Sequence, residues 1–150
     1  VTLPRAVRAL QRNAIAPQEQ SVTSQATWLQ GQHILLLEND EQITQAMQEL
    51  LSDWGAEVIC ASSFSAAQAV CPAPPDMMLV DYHLDFGEKG TDAAKSLKGF
   101  WQQNVPGILV TANRDDGVRD EAAAAGLRYL PKPVKPPALK RLLKELLSGR

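Results

Sequence analysis

The sequence is poor in cysteine, in long apolar runs and, through much of its length, in positive charge. Its two cysteines, Cys60 and Cys71, make no CxxC and no paired framework. That excludes a disulfide-stapled scaffold and a cysteine zinc module. They read as reduced core or loop thiols of a cytoplasmic protein, since a free cysteine packs as a small apolar side chain. The aliphatic runs stop at four or five residues, too short to span a bilayer. The start "VTLPRAVRAL" lacks the charged head and apolar centre of a signal peptide. It also lacks an initiator Met, which predicts a fragment of a longer protein. No Lys or Arg occurs between Asn13 and Glu88. From Lys89 onward bases return, but they are dispersed among acids with no aromatics between them, which argues against a nucleic-acid surface. No Gly-Lys P-loop is present and no Gly-rich turn follows the first apolar run, so a nucleotide hydrolase or flavin protein has no support.

What is there begins at residue 32. Residues 1–31 are rich in Gln, Ala, Ser and Thr without a sustained period and read as a linker or tail. Within them "PRAVRALQRNA" is compatible with a short helix carrying Ala6, Leu10 and Ala14 on one face. Beyond residue 32 five short apolar runs, "HILLLE", "AEVICA", "MMLVD", "GILVT" and "RYLP", alternate with longer amphipathic stretches. Near-continuous apolar runs suit strands buried on both faces of a parallel sheet. The stretch after the first run sets Ile43, Met47, Leu50, Leu51 and Trp54 at helical steps, and Gly55 ends it. The third helix has Thr91 or Asp92 available as its cap. The last carries Leu139, Leu142, Leu143, Leu146 and Leu147 on one stripe. Five strand-helix units in strict alternation predict an α/β fold: a doubly wound open sheet with helices on both faces.

In such a sheet the ligand crevice lies beyond the carboxyl ends of the strands. The first run ends in Glu38-Asn39, the third in Asp81, the fourth in Thr111 and the fifth in Lys132. If those strands are neighbours, two acidic ends, a hydroxyl and an ammonium converge. That set suits phosphoryl transfer to a carboxylate. A hard divalent cation takes oxygen ligands from Glu38, Asn39 and Asp81 and screens Asp81 from an incoming phosphoryl group. Thr111 and Lys132 can donate to phosphoryl oxygens as charge redistributes.

The segments "ILLLENDE", "MMLVDYHL", "ILVTAN" and "YLPKPV" resemble the motif segments of response-regulator receiver domains of two-component signalling. The resemblance runs over about residues 32 to 148. It implies a flavodoxin-like strand order 2-1-3-4-5 in a three-layer α/β/α domain, spanning 32–150. It further implies that Asp81 is the phosphoacceptor, that Thr111 and Lys132 bind the phosphoryl group, and that Thr111 and Tyr129 form the switch. The main-chain carbonyl of His83 would join Glu38, Asn39 and Asp81 around Mg2+, and Pro133 would follow a cis peptide bond. A histidine kinase or histidine phosphotransfer protein is the implied partner, with a homodimer left open. "VTLP" resembles the last strand of a histidine-kinase ATP-binding domain, which points to the C-terminal receiver of a hybrid sensor histidine kinase.

One departure stands out. Where the family carries two successive acids after the first strand, this chain has Glu38-Asn39, and one formal charge fewer predicts weaker Mg2+ binding. Asp40 is expected to cap the following helix rather than to replace the missing acid. The alternative is a phosphorylation-independent pseudo-receiver, an interaction module on the same fold.

Overall fold

The computed structural model describes residues 27–148; "VTLP" and the expected short helix before residue 15 lie outside the described residues. Five strands of five residues each form one parallel sheet: β1 His33–Leu37, β2 Glu57–Ala61, β3 Met77–Asp81, β4 Gly107–Thr111 and β5 Leu127–Pro131. Their spatial order is β2-β1-β3-β4-β5, so the chain reverses direction across the sheet between β1 and β3. The connecting helices are α1 Glu41–Asp53, α2 Phe64–Val70, α3 Gly90–Trp101, α4 Asp116–Ala124 and α5 Pro136–Ser148. No helix among the described residues is long and apolar enough to cross a membrane.

Alternation along each strand divides the core in two. Leu35, Leu37, Met78, Val80 and Leu109 face α2, α3 and α4, where Ala67, Ala94, Leu97 and Val118 cover them. Ile34, Leu36, Met77, Leu79 and Ile108 face α1 and α5, meeting Met47, Leu51, Leu139 and Leu143. Central β3 and β4 are buried throughout, whereas edge strands β2 and β5 are partly exposed. This is why the central runs carry no polar alternation. Both cysteines are free thiols, Cys71 buried and Cys60 half-buried; burial pushes both thiols up from their ordinary pKa.

Local signals act largely as expected at α1. Asp40 caps it, accepting from the N–H groups of Gln42 and Ile43. At α3 the start differs. The helix begins at Gly90 after Lys89, with no side-chain cap. Thr91 instead turns its hydroxyl to Glu121 on α4, at 3.1 Å. Gly90 must stay bare, because a Cβ there would collide with the Asp81 carbonyl and Val80.

Residues 27–31, which the sequence pattern assigns to the tail, pack on the domain. Leu29 is fully buried in the α1–α5 layer, and its N–H donates to the Trp54 carbonyl at 2.8 Å. Trp28 lies against Trp54 with ring centroids 5.3 Å apart. The ammonium groups of Lys140 and Lys144 approach its ring at 5.9 and 5.5 Å. Replacing Leu29 with Ala therefore removes a core side chain, at about 2–5 kcal/mol for a buried leucine. Urea unfolding should show the loss; a change within about 0.5 kcal/mol, typical of a surface site, would mean that the segment is not part of the core.

Candidate functional site

Register brings the strand ends together. Leu37 pairs with Val80, so Glu38 and Asp81 leave β1 and β3 side by side at the point where strand order reverses. Asp81 pairs with Val110 and Thr111 with Pro131, which steps Thr111 one row and Lys132 two rows further out than Asp81. The Lys132 N–H donates to the Thr111 carbonyl at 2.9 Å, and the Lys132–Pro133 peptide is cis.

Lys132 is the electrostatic centre. Its ammonium lies 3.1 Å from an Asp81 carboxylate oxygen and 3.6 Å from Glu38 Oε1. Asp81 is only 6% exposed and Glu38 is equally buried. The other Glu38 oxygen accepts the Asp40 N–H at 3.1 Å, which fixes the carboxylate. Burial nevertheless raises the Glu38 pKa above its usual value, and the neighbouring Asp81 charge adds to the shift against the pull of Lys132. Two negative charges against one positive leave a deficit of cation. Asn39 is exposed and borders, with Glu38, Glu41, Ser62 and Asp85, an open cavity of 490 Å3 at the mouth.

The donor set suits a hard cation that keeps its water. Among the described residues no three acidic, His or Cys side chains group as a full metal cage. Mg2+ does not require one, since it is commonly held by one or two carboxylates and retains several waters. Glu38 and Asp81 are the two carboxylates that could hold such an ion, and Asn39 follows Glu38 in the chain. His83 is exposed, its ring edge-on to Tyr82 at 4.9 Å, and its backbone bridges Lys89.

The hydroxyl side of the site holds a residue that sequence reasoning missed. Thr111 is 1% exposed, and its Oγ1 accepts the Asn113 N–H at 3.0 Å, leaving the hydroxyl proton to donate elsewhere. The Asn113 carbonyl accepts from the Tyr129 hydroxyl at 2.9 Å, and its Oδ1 accepts the Asp115 N–H at the start of α4. One residue thus links Thr111, Tyr129 and α4. The Arg119 guanidinium sits 4.5 Å over the Tyr129 ring and ties it to α4 as well. The only hint in the sequence was an Asn two positions beyond Thr111, a type that favours such local bonds.

Glu121 fastens α4 to the loop after β3. It accepts from Tyr82 at 3.0 Å and from Thr91, and pairs with Lys89 at 3.8 Å. The Tyr82 bond holds its carboxyl below the usual range, and burial raises the Tyr82 phenol. On the opposite side of the mouth a largely apolar groove of 780 Å3 runs between α1 and the turn into α5. Ile43, Met47, Leu50, Ala112, Lys132 and Val134 border it.

Buried acids beside a cis-Pro lysine, at the reversal point of a 2-1-3-4-5 sheet, define a doubly wound domain with an acidic phosphoryl-type crevice. The family model for the response regulator receiver domain matches residues 34–144, and the chain belongs to that family of two-component signalling domains. The fold is shared with solved receiver domains. That of a Francisella response regulator is 20% identical with a TM-score of 0.70, over 79% of this chain and 98% of that one. The receiver of a signal transduction histidine kinase from Syntrophus aciditrophicus is 23% identical with a TM-score of 0.69, over 79% and 92%. The HemR receiver from Leptospira biflexa is 25% identical with a TM-score of 0.69, over 78% and 94%. No curated protein sequence matches the chain.

The raised Glu38 pKa has a signed consequence. Its contribution to stability is fully present below the ordinary value of about 4.5 and is lost as pH rises through the higher folded value. Without metal, wild type should therefore lose stability relative to Glu38→Gln as pH climbs from 4.5 towards neutrality. Parallel curves from urea unfolding across that range would show that Glu38 ionises as freely in the fold as outside it.

Proposed function

We propose that the chain accepts a phosphoryl group from a phosphohistidine onto Asp81, with Mg2+ held by Glu38, Asn39, Asp81 and the His83 carbonyl. The observation that carries this is the Lys132 ammonium set against two buried carboxylates, with a buried Thr111 hydroxyl on the adjoining strand. When bound, Mg2+ supplies the positive charge that lets a phosphoryl group approach a carboxylate. An Asp81 oxygen forms the new P–O bond as the P–N bond breaks, and the imidazole nitrogen keeps the electron pair. Lys132 donates to the phosphoryl oxygens through the in-line displacement, and Thr111 directs its free proton to them.

Moving Thr111 inward displaces the Asn113 peptide, which holds the Tyr129 hydroxyl. The switch is thereby relayed to β5 and α4, the face that would engage a following partner. A histidine kinase or a histidine phosphotransfer protein is the fitting donor. The groove beside Lys132 offers apolar surface for the helix that bears its phosphohistidine. We read the domain as cytoplasmic and as part of a hybrid histidine kinase, in line with "VTLP" at the start of the chain. A phosphorylation-independent module has less support, because it gives no reason to bury two carboxylates around one ammonium.

Intact mass after incubation with phosphoramidate tests the reading. Wild type should gain one phosphoryl group only with Mg2+, and Asp81→Asn none; label persisting on that variant would refute the assignment. Restoring the missing charge with Asn39→Asp should tighten Mg2+ binding about tenfold or more, since a unit charge about 4 Å from a divalent cation is worth ~2 kcal/mol even in water, above the ~1.4 kcal/mol of a tenfold step. Titration calorimetry reads this directly, and unchanged affinity would remove Asn39 from the metal shell.

A further inference from the structure

Phe86 fits neither the core nor its own backbone. It is 93% exposed, against 50% for Val70 and 42% for Phe100, the other exposed large apolar side chains among the described residues. Its φ of 63° lies in the left-handed region, which costs a residue with a Cβ about 1–2 kcal/mol. Glycine at this position would relieve the strain, and a polar residue would remove an aromatic from water. Folding alone favours neither feature of Phe86.

The loop that carries it is nonetheless well fastened. Leu84 is buried, and its N–H donates to the Glu88 carbonyl at 2.9 Å. The Glu88 carboxylate accepts the Phe64 N–H at 2.9 Å, and the Gly90 N–H donates to the Tyr82 carbonyl at 2.7 Å. Asp85 reaches the Ser62 carbonyl at 3.4 Å. A backbone fastened in this way loses little entropy when a partner covers the aromatic it presents, which is the physics of an interface anchor.

Position supplies the occupant. Asp85, the neighbour of Phe86, lines the mouth of the site with Glu38, Asn39 and Ser62. Asp81 is almost completely buried. A histidine carried on a protein can reach it only by laying surrounding surface over the loops that form that mouth. Phe86 is the tip of one of them. We infer that Phe86 is a docking anchor for the protein that carries the phosphohistidine, seated in an apolar socket on that protein. Asp85 and Glu88 flank it in the loop, and Glu41 lines the same mouth, so the socket has a basic rim. This inference rests on the phosphoacceptor reading and adds the partner surface to it.

Two donors separate the two claims. Phosphoramidate is the small one; the protein donor is whichever autophosphorylated histidine kinase of the source organism labels wild type fastest. Phe86→Ala should lose about tenfold or more in kcat/KM with the kinase, as for removal of an interface aromatic worth at least ~1.4 kcal/mol. Its phosphoramidate rate should stay within about twofold, well under that tenfold step, and Phe86→Tyr should keep most of the kinase rate. Equal kinase rates for wild type and Phe86→Ala would overturn the anchor while leaving the phosphoacceptor reading intact. Equal losses with both donors would assign Phe86 to loop structure and also overturn it. If neither donor labels wild type, the phosphoacceptor reading fails and the anchor falls with it.

Discussion

Lys132 sets its ammonium 3.1 Å from Asp81 and 3.6 Å from Glu38, and much of the molecule is arranged to make that contact possible. Two carboxylates brought together out of water repel each other and lose hydration, so one cation between them is the least that the fold can supply. The arrangement remains one positive charge short. That shortage favours a divalent ion at the site; burial raises the Glu38 pKa, and the neighbouring Asp81 charge adds to the shift. With Asn39 in place of an acid, the deficit is smaller than a three-acid crevice would carry, and so is the attraction for a cation.

Two chains of contacts lead outward from that site. The first passes from Thr111 through the Asn113 peptide to Tyr129, and Arg119 carries it on to α4. The second starts at Tyr82, the residue after Asp81, and reaches α4 directly through Glu121. Lys98 adds a third attachment, donating to the Ala125 carbonyl just beyond α4 at 2.8 Å, with its ammonium held below the usual range by burial. Helix α4 is therefore tied to the ends of β3 and β4, to β5 and to α3, and a shift of any of them is felt there.

Much of this was legible in the chain itself. Alternating apolar runs and amphipathic stretches told strands from helices, because a strand covered on both faces needs no polar alternation. Strand-end residues named the acidic crevice, because polar groups at the carboxyl edge of such a sheet have nowhere else to point. The misreadings have a common cause. Thr91 looked like a helix cap, yet its hydroxyl found a partner thirty residues away in Glu121, and a tertiary bond outweighed the local one. Leu29 sat in a polar, aperiodic stretch, and only Trp54 and the layer between α1 and α5 make it core. Nothing near Phe86 in the chain distinguishes an exposed aromatic from a buried one.

The sequence by itself determined the five-unit alternation, the class of sheet and the identities of Glu38, Asp81, Thr111 and Lys132 as strand-end groups. These follow from periodicity and residue chemistry, which act over a few neighbouring positions. The tertiary structure decided which ends meet and at what distance, how deeply the acids are buried, and that Asn113 and Glu121 carry the links outward. Those depend on strand register and on contacts between segments far apart in the chain, where a displacement of one residue would turn a side chain to the other face of the sheet.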